Sequence, residues 1–522
     1  MQWEGLGAVG VYFLAIIGIG IYFFSKSLKN DAGEKEYFLG GRSMNAWVSA
    51  LSAGASDMSA WVLMGLPGAI YLLGMGQIWI AIGLLAGTIA AWLLVAPKLR
   101  RFSILAGDAI TIPQFLTNRF LTRSKSLQII AALIFMITYC IYAASSIYAC
   151  GLVFHAIIGV DPKNAMAVAA AVIVFYTFLG GYQAVCWTDF FQGMLMLGAL
   201  MAIPLIAFLL MQSNGFVQPE SAYPANYFHW FPGGANDHWT SIYNVVNGFT
   251  WGLGYFGMPH ILIRYFAVKS EKEMRKSQII GCFWITVILL MTVLVGLLGR
   301  SYLGAPAAGN EQMVFVNMIH KIFDWIGSAT GFVSLSIFCA GLLLSAILAA
   351  SMSSADSQLL LSSSAFASDI YKPVFRKQAS DKEMLWAGRI IVLIIAVVAY
   401  LIAVNPDCKG IMSLVSCAWG AFGAAFGPVI LLALYWKRLT CLGAAVGIAV
   451  GFVVDAFWYT AANVLTIPHT GIMKMLDIYE LLPGFLCGLL ATVIVSKLDK
   501  APSKEVCELF DKASQPLADE SK

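Results

Sequence analysis

The stretch Ala50–Trp61, ALSAGASDMSAW, lies inside a long apolar segment and carries a carboxylate, Asp57, at its centre. Four serines and Gly54 surround that aspartate. A charged side chain at the middle of a hydrocarbon layer costs about 2.5–3.5 kcal/mol even on a lenient insertion scale, so an intramembrane aspartate is expected to be functional. The surroundings of Asp57 are therefore the first place to look for a functional site.

The composition is that of a membrane protein. Of 522 residues, 60% are hydrophobic and 11% are charged, and the mean hydropathy is +0.79, whereas soluble domains carry roughly 25% charged residues. Many windows hold about 20 apolar residues, enough for a spanning helix. We see no glycine-rich phosphate loop and no nucleophile–base pair, which argues against an ATP-driven pump and against an enzyme. The sequence predicts an all-α polytopic membrane protein.

The hydropathy pattern predicts thirteen transmembrane helices. Their approximate bounds are 5–25, 44–73, 77–96, 127–156, 164–180, 189–211, 241–263, 277–299, 329–365, 387–405, 411–436, 441–461 and 478–496. If the N-terminus is outside, 27 of the 32 basic residues fall in inner loops or in the C-terminal tail, and Arg264 is one of the loop residues. This asymmetry follows the positive-inside rule and predicts an outer N-terminus and an inner C-terminus.

Two of these segments contain residues that interrupt helices. The second has three glycines and a proline near Asp57, and the seventh contains GFTWGLGYFGMPH, residues 248–260. The two segments are five apart, so they open two halves of opposite orientation, and interrupted helices at matching positions of inverted repeats indicate a binding site at the midplane. Glycines that only permit close helix packing are the alternative.

This pattern divides the chain into six parts. They are the first helix with a cytoplasmic loop, 1–42; a first inverted repeat of helices 2–6, 43–211; an extracellular loop, 212–240; a second repeat of helices 7–11, 241–436; helices 12 and 13, 437–497; and a cytoplasmic tail, 498–522. The tail is too short for the signalling domain that a solute sensor normally needs.

A second stretch supplies oxygen atoms. ASMSSADSQLLLSSSA, residues 350–365, is dense in hydroxyl groups. Ala350, Ser353 and Ser354 share one helical face, and a broken helix near Asp57 would expose carbonyls such as those of Ala55 and Met58. Together these five oxygens predict a sodium site. Serines that hydrogen-bond to their own helix are the alternative.

Other residues are candidates on weaker grounds. Trp251, Tyr255 and Pro259 form a stripe at four-residue spacing, which Tyr142 could face, and such a stripe either lines a small-solute pocket or packs as ordinary core. Asp189, where the fifth segment turns into the sixth, lies either at membrane depth or at the interface. We expect a further acidic residue, Asp356, to face cytoplasmic water near the end of the ninth segment.

Several motifs occur in an order that resembles the sodium/solute symporter family, and within it the sodium/proline symporters. The motifs are YFLGGRSM, ALSAGASDMSAWVLMGLPGA, GGYQAVCWTDFFQ, WGLGYFGMPHIL, LLSAILAASMSSADSQLL and AWGAFGAAFGPV. The likeness runs from about Tyr37 through the last segment, and it implies a LeuT-like fold built as a five-plus-five inverted repeat.

The resemblance also implies roles for individual residues. It assigns sodium to the carbonyls of Ala55, Met58 and Ala350 and the hydroxyls of Ser353 and Ser354. It links Asp57 and Ser59 to sodium affinity, Asp189 to a second cation site and Arg42 to gating. It gives proline contacts to Tyr142, Trp251, Tyr255 and Pro259.

The expected activity is sodium-coupled uptake of L-proline across the cell membrane by alternating access. No cofactor is expected besides Na⁺ as coupling ion, and no nucleic acid or obligate protein partner besides the lipid bilayer. Two positions depart from the family pattern: Met258 stands where Gln is expected, and Ser354 where Thr is expected. The missing amide leaves another small amino acid, an osmolyte or a carboxylate as alternative solutes.

Overall fold

The computed structural model describes residues 3–29, 34–122, 124–179, 181–213, 223–233, 237–307, 309–465, 467 and 469–517. Within these ranges the regular structure is helical. Parts of the predicted loops and tail, namely 30–33, 214–222, 234–236 and 518–522, lie outside the described residues.

Twenty α-helices follow one another along the described chain. They are α1 (Trp3–Lys29), α2 (Glu34–Leu39), α3 (Ala46–Asp57), α4 (Leu66–Leu73), α5 (Ile78–Ala90), α6 (Ala96–Leu105), α7 (Ile112–Arg119), α8 (Ser126–Ile158), α9 (Pro162–Leu179), α10 (Tyr182–Ser213), α11 (His238–Leu253), α12 (Pro259–Ala267), α13 (Glu271–Leu303), α14 (Val314–Thr330), α15 (Val333–Ser364), α16 (Asp381–Ala403), α17 (Ile411–Tyr435), α18 (Cys441–Asn463), α19 (Leu481–Leu498) and α20 (Lys504–Ala513).

Ten helical units in the described ranges are long and apolar enough to cross a membrane, and the bent pair formed by α3 and Trp61–Leu73 makes an eleventh. The chain is therefore an all-helical, multi-pass membrane protein. Two predicted segments are not among these units: 164–180 corresponds to α9, of which Pro162–Phe175 is an apolar helix, and 241–263 is divided between α11 and α12. The structure also contains α14, a helix of 17 residues that the sequence interpretation did not predict.

The first predicted break lies where expected. Helix α3 ends at Asp57, and Met58 has a non-helical ψ of 70° although its N–H still bonds to the Gly54 carbonyl. A π-helical turn, Trp61–Gly65, then leads into α4, and the two parts of the segment meet at 60°. Because α3 ends there, its last carbonyls are not followed by another turn of the same helix.

The second break separates α11 from α12. A short 3₁₀ turn, Gly254–Phe256, follows α11, and Met258 is extended with a ψ of 108° before Pro259 opens α12. A residue before proline avoids the helical region, and proline is favoured in a first helical turn, so the sequence itself places this break.

Close packing explains some of the glycines, as the alternative interpretation held. A Cβ on Gly248 would lie 2.4 Å from Trp79, and one on Gly252 would lie 2.3 Å from the Gly83 carbonyl oxygen. These glycines let α11 lie directly against α5. Gly254 has another purpose, because a Cβ there would lie 1.9 Å from Nε1 of Trp419.

Candidate functional site

Three of the five predicted sodium ligands meet at the first break. The Ser353 hydroxyl donates to the Ala55 carbonyl at 2.9 Å and to the Ala350 carbonyl at 3.0 Å. All three residues are fully buried. Helix α15 therefore presents its hydroxyl face to the broken end of α3, as the i, i+3, i+4 spacing predicted.

The other two predicted ligands lie in the same region but with different contacts. Ser354 donates its hydroxyl to the carbonyl of Ser56 at 2.8 Å, a residue that the sequence interpretation did not include. Met58 is fully buried at the non-helical end of α3. By contrast, Ser351 and Ser362 bond to carbonyls of their own helix, so the self-bonding alternative holds for them and not for Ser354.

Asp57 lies between the two breaks with 1% of its surface exposed. Its Oδ2 accepts a 2.6 Å hydrogen bond from the Tyr255 hydroxyl, and its main-chain carbonyl accepts the Trp61 indole N–H at 3.0 Å. Ser59 is fully buried close by, and its hydroxyl has no hydrogen-bond partner among the described residues. A carboxylate and a hydroxyl are therefore held where both helices unwind.

The predicted aromatic stripe surrounds the second break. Tyr142 on α8 and Tyr255 are buried, and the ring of Tyr142 meets the imidazole of His260 edge to face at 5.8 Å. Pro259 is buried at the start of α12. The Trp251 ring stacks on the Tyr479 ring at 5.0 Å.

Trp419 on α17 completes this group, and sequence reasoning missed it. Its indole N–H donates to the Trp251 carbonyl at 2.8 Å, and its ring meets Tyr255 edge to face at 5.1 Å. The residue lies inside AWGAFGAAFGPV, one of the quoted motifs, so the signal was present although no role was assigned to it.

A cavity of about 560 Å³ reaches Trp251 from the end of the molecule that the charge pattern predicts to be extracellular. Asn247, Asp477, Tyr479 and Glu480 are among its other lining residues. Trp251 and Tyr479, whose rings stack on each other, therefore both line this cavity.

Asp189 is fully buried inside the protein. Its Oδ2 accepts hydrogen bonds from Ser52 at 2.7 Å and from Arg264 at 3.0 Å. Arg264 also donates to the His260 carbonyl at 2.8 Å and to the Ser357 hydroxyl. One guanidinium therefore ties together α3, α10, α12 and α15.

Two expectations are corrected here. The charge pattern places Arg264 in an inner loop, but the residue lies in α12 and is 1% exposed. Its ion pair with Asp189 compensates the positive charge of the guanidinium inside the protein. Asp356 was expected to face cytoplasmic water, but it is fully buried near that pair, and neither carboxylate oxygen has a hydrogen-bond partner in the described ranges.

Arg42 lies just before α3 and contacts α6, the loop after α6 and α12. It donates to Asp108 at 2.8 Å, to Ser103 at 3.0 Å and to the Phe266 carbonyl at 2.7 Å. Partial burial disfavours the charged form of Asp108, but hydrogen bonds from Lys35 and Arg42 outweigh it and lower the pKa of Asp108.

Backbone hydrogen bonds join the same parts of the chain. The Met44 N–H bonds to the Ala267 carbonyl at 3.1 Å, and the Lys269 N–H bonds to the Met44 carbonyl at 3.0 Å. The chain before α3 is thereby joined to the chain after α12, so the two broken segments are tied at this end.

Two broken helices with oxygens and a carboxylate at the breaks are the arrangement in which many secondary transporters hold their substrates and coupling ions. The chain belongs to the sodium:solute symporter family, which it matches over residues 37–451. The protein is therefore a transporter and not an enzyme.

Curated relatives cover nearly the whole chain. The osmoregulated proline transporter OpuE of Bacillus subtilis is 40% identical over 518 residues, which are 98% of each chain. The high-affinity proline transporter PutP of the same organism is 40% identical over 92% of this chain and 96% of its own. The sodium/proline symporter of Staphylococcus aureus is 39% identical over 96% and 94%.

Solved structures share the fold. A Na⁺-coupled sialic acid symporter in a substrate-bound outward-open state superposes with a TM-score of 0.73 at 21% identity, over 96% of this chain and 99% of its own. The nucleobase-cation symporter Mhp1 gives a TM-score of 0.53 at 14% identity, over 91% and 97%. These neighbours agree with the LeuT-like fold expected from the sequence.

Proposed function

We propose that the protein imports L-proline by sodium-coupled symport. One observation carries the proposal: the Ser353 hydroxyl on α15 lies within hydrogen-bond distance of the Ala55 carbonyl at the broken end of α3. Relatives at about 40% identity that are named proline transporters support the choice of solute.

Sodium takes the five oxygens at this junction in the proposal: the carbonyls of Ala55, Met58 and Ala350 and the hydroxyls of Ser353 and Ser354. Unwound carbonyls and hydroxyls are the ligands that coupling ions use in transporters with broken helices. Because these oxygens come from the broken end of α3 and from α15, a bound sodium ion connects the two helices. Asp57 and Ser59 adjust sodium affinity, and Na⁺ is the coupling ion with no further cofactor.

The solute lies between Tyr142, Trp251, Tyr255 and Pro259. These residues offer apolar ring faces to a pyrrolidine and hydroxyl groups to a zwitterion. Met258 is fully buried beside Pro259, and its flexible side chain widens an apolar slot there. Because Met258 has no amide, another small amino acid, an osmolyte or a carboxylate is the second candidate, and a competition panel against labelled proline decides between them.

In the proposed alternating-access transport, the remaining parts of the chain have the following roles. Thirteen helices cross the plasma membrane with the N-terminus outside, and helices 2–6 and 7–11 form inverted repeats over 43–211 and 241–436. The contacts of Arg42 close the inner side while the outer cavity reaches Trp251, which corresponds to an outward-facing arrangement. Asp189, held by Arg264, is assigned to a second cation position on the inner path.

The sodium gradient supplies enough free energy for this transport. One sodium ion moving through 100 mV gains about 2.3 kcal/mol, and a tenfold concentration gradient adds about 1.4 kcal/mol. At one-to-one coupling the sum holds roughly a 500-fold gradient of a neutral zwitterion.

The test measures sodium-driven uptake of labelled proline in proteoliposomes with the double variant Ser353→Ala/Ser354→Ala. We expect the sodium concentration that gives half-maximal uptake to rise at least tenfold, because the variant loses two ligand contacts. Ser362→Ala is the matched control, because that buried serine lies on the same helix and donates its hydroxyl to the Gln358 carbonyl of that helix. Unchanged sodium dependence in the double variant would contradict the site, and absence of sodium-driven proline uptake in the unmodified protein would contradict the activity.

A further inference from the structure

A groove runs along the surface between α9 and α16 and shares no residue with the proposed transport site. Its volume is about 790 Å³. Phe175, Leu393 and Val397 line it, although they are 58%, 47% and 56% exposed, respectively. Helix α16 is long and apolar enough to cross a membrane. An exposed apolar surface on a spanning helix faces lipid, so the groove opens to the bilayer.

Small side chains on both helices create this groove. Helix α9 contributes Ala167, Ala170, Ala171 and Val174, which lie on one helical face at i, i+3, i+4 and i+7. Helix α16 contributes Ala396 to the same lining. Larger side chains at these positions would fill the space, so the sequence itself leaves room for an apolar chain from the bilayer.

Arg389 places a positive charge in this apolar lining. Its guanidinium carbon lies 5.2 Å from the ring centre of Trp386 and 6.0 Å from that of Phe178. Its Nε is buried without a hydrogen-bond partner, and no carboxylate in the described part of the chain forms an ion pair with it. Tyr37 lies beside the guanidinium but is neutral. The charge of Arg389 therefore favours an anionic group from outside the protein.

The length of the groove matches one leaflet of a bilayer. Tyr400, which also lines the groove, lies 11 residues after Arg389 on α16, a distance of about 16 Å along a helix. The hydrocarbon core of a bilayer is about 30 Å thick, or about 15 Å for each leaflet. Because the charge pattern predicts that α16 begins on the cytoplasmic side, the Arg389 end corresponds to the head groups of the inner leaflet.

A second basic residue lies on the same face of α16, nearer its beginning. Lys382 is exposed and precedes Arg389 by two helical turns, with Trp386 between them. The neighbouring carboxylate of Glu383 is already paired with Arg376. Basic pockets between transmembrane helices on the cytoplasmic side bind anionic head groups, and tryptophan is enriched at that depth.

We propose that this groove binds an anionic phospholipid of the inner leaflet. One acyl chain lies between the alanine faces of α9 and α16, and the phosphate lies on the guanidinium of Arg389, whose planar N–H groups suit phosphate oxygens. Lys382 repels the ammonium group of a zwitterionic head group, so a lipid with net negative charge is preferred. Since α9 and α16 belong to different predicted repeats, the bound lipid connects the two halves of the protein.

The test titrates the purified full-length protein in detergent with dioleoyl phosphatidylglycerol or dioleoyl phosphatidylcholine and counts bound lipid by native mass spectrometry. We expect phosphatidylglycerol to bind at least fivefold more tightly, and Arg389→Gln to remove most of this preference. Lys276→Gln is the matched control, because it removes a basic side chain that is 55% exposed, pairs with Glu273 and does not line the groove. This variant should keep the preference.

A second variant tests the position of the acyl chain. Ala171 is an exposed lining residue, so Ala171→Phe should fill the groove without disturbing the fold and weaken the binding of both lipids severalfold. Val168→Phe is its control, because Val168 is 54% exposed on the same helix and is not part of the lining. Equal binding of the two lipids to the unmodified protein, or an unchanged preference in Arg389→Gln, would overturn the proposal, as would unchanged binding in Ala171→Phe. Sodium and proline are absent from this experiment, so none of these results bears on the proposed transport activity.

Discussion

The hydroxyl of Tyr255 donates a 2.6 Å hydrogen bond to Oδ2 of Asp57, and the bond joins the broken end of α3 to the break between α11 and α12. The two residues are 198 positions apart in the chain. Because this hydrogen bond connects the two breaks, a change at the proposed sodium site beside Asp57 is expected to alter the position of Tyr255, where the solute is proposed to bind.

Removing the Tyr255 hydroxyl is therefore expected to weaken the binding of both sodium and proline. A hydrogen bond to a charged group contributes about 1.5–3 kcal/mol, so Tyr255→Phe should raise both half-saturation constants roughly tenfold or more. Uptake is measured in proteoliposomes, with Tyr302→Phe, a buried tyrosine at the far end of α13, as control. A rise in the proline constant alone would show that the contact serves only the solute.

The Arg264–Asp189 ion pair is expected to stabilise the fold strongly. Removing one member of a buried pair costs about 3–5 kcal/mol, because it leaves an uncompensated charge. Arg264→Gln and Asp189→Asn should each lower the thermal midpoint in detergent, and the double variant should recover part of the loss.

The exposed pair of Arg376 with Glu383 is the matched control, since its arginine side chain is 64% exposed. Arg376→Gln should change stability by less than about 1 kcal/mol. Additive losses in the Arg264/Asp189 double variant would show that the two side chains do not act as a pair.

The two helix breaks were predictable because their signals are local. Glycine near Asp57 and the Met258–Pro259 step act on their own backbone, and the Ser353 face follows from helical periodicity. The Arg264–Asp189 contact spans 75 residues and was not predictable from windows of hydropathy, which end the apolar segment just before Arg264. Burial of that arginine becomes favourable only once the fold brings Asp189 and Ser357 to it.

The Arg42–Asp108 contact is expected to hold the inner side closed. Asp108→Asn removes the charge of the partner, and the conformational equilibrium should shift toward inward-facing states. Cys186 is buried near Asp189 and Arg264, so it reports access from the inside in a variant that keeps it as the single cysteine.

Labelling of Cys186 by a thiol reagent applied from the cytoplasmic side should be several-fold faster in Asp108→Asn. The exposed loop variant Asp407→Asn serves as control. Equal labelling rates in both variants would mean that Arg42 does not depend on Asp108 for closure.

Trp419 is expected to support the solute pocket without touching the ion. Trp419→Phe keeps an aromatic ring against Tyr255 but removes the 2.8 Å bond to the Trp251 carbonyl. Losing a neutral hydrogen bond of about 1 kcal/mol should raise the proline constant roughly fivefold and leave sodium binding without proline unchanged. A parallel loss of sodium binding would place Trp419 in the ion site instead.

The contact between α5 and α11 should tolerate no additional methyl group. A Cβ on Gly252 would lie 2.3 Å from the Gly83 carbonyl oxygen, which is backbone and cannot rotate away. Gly252→Ala should therefore cost about 1–3 kcal/mol of stability and separate α11 from α5 just before the second break. Gly198→Ala on α10 is the control, because a Cβ there meets nothing within 4 Å, and alanine favours the helix by up to about 1 kcal/mol. Thermal unfolding in detergent ranks the two variants. If Gly252→Ala is as stable as Gly198→Ala, α11 moves freely against α5 and the second break is not held by this contact.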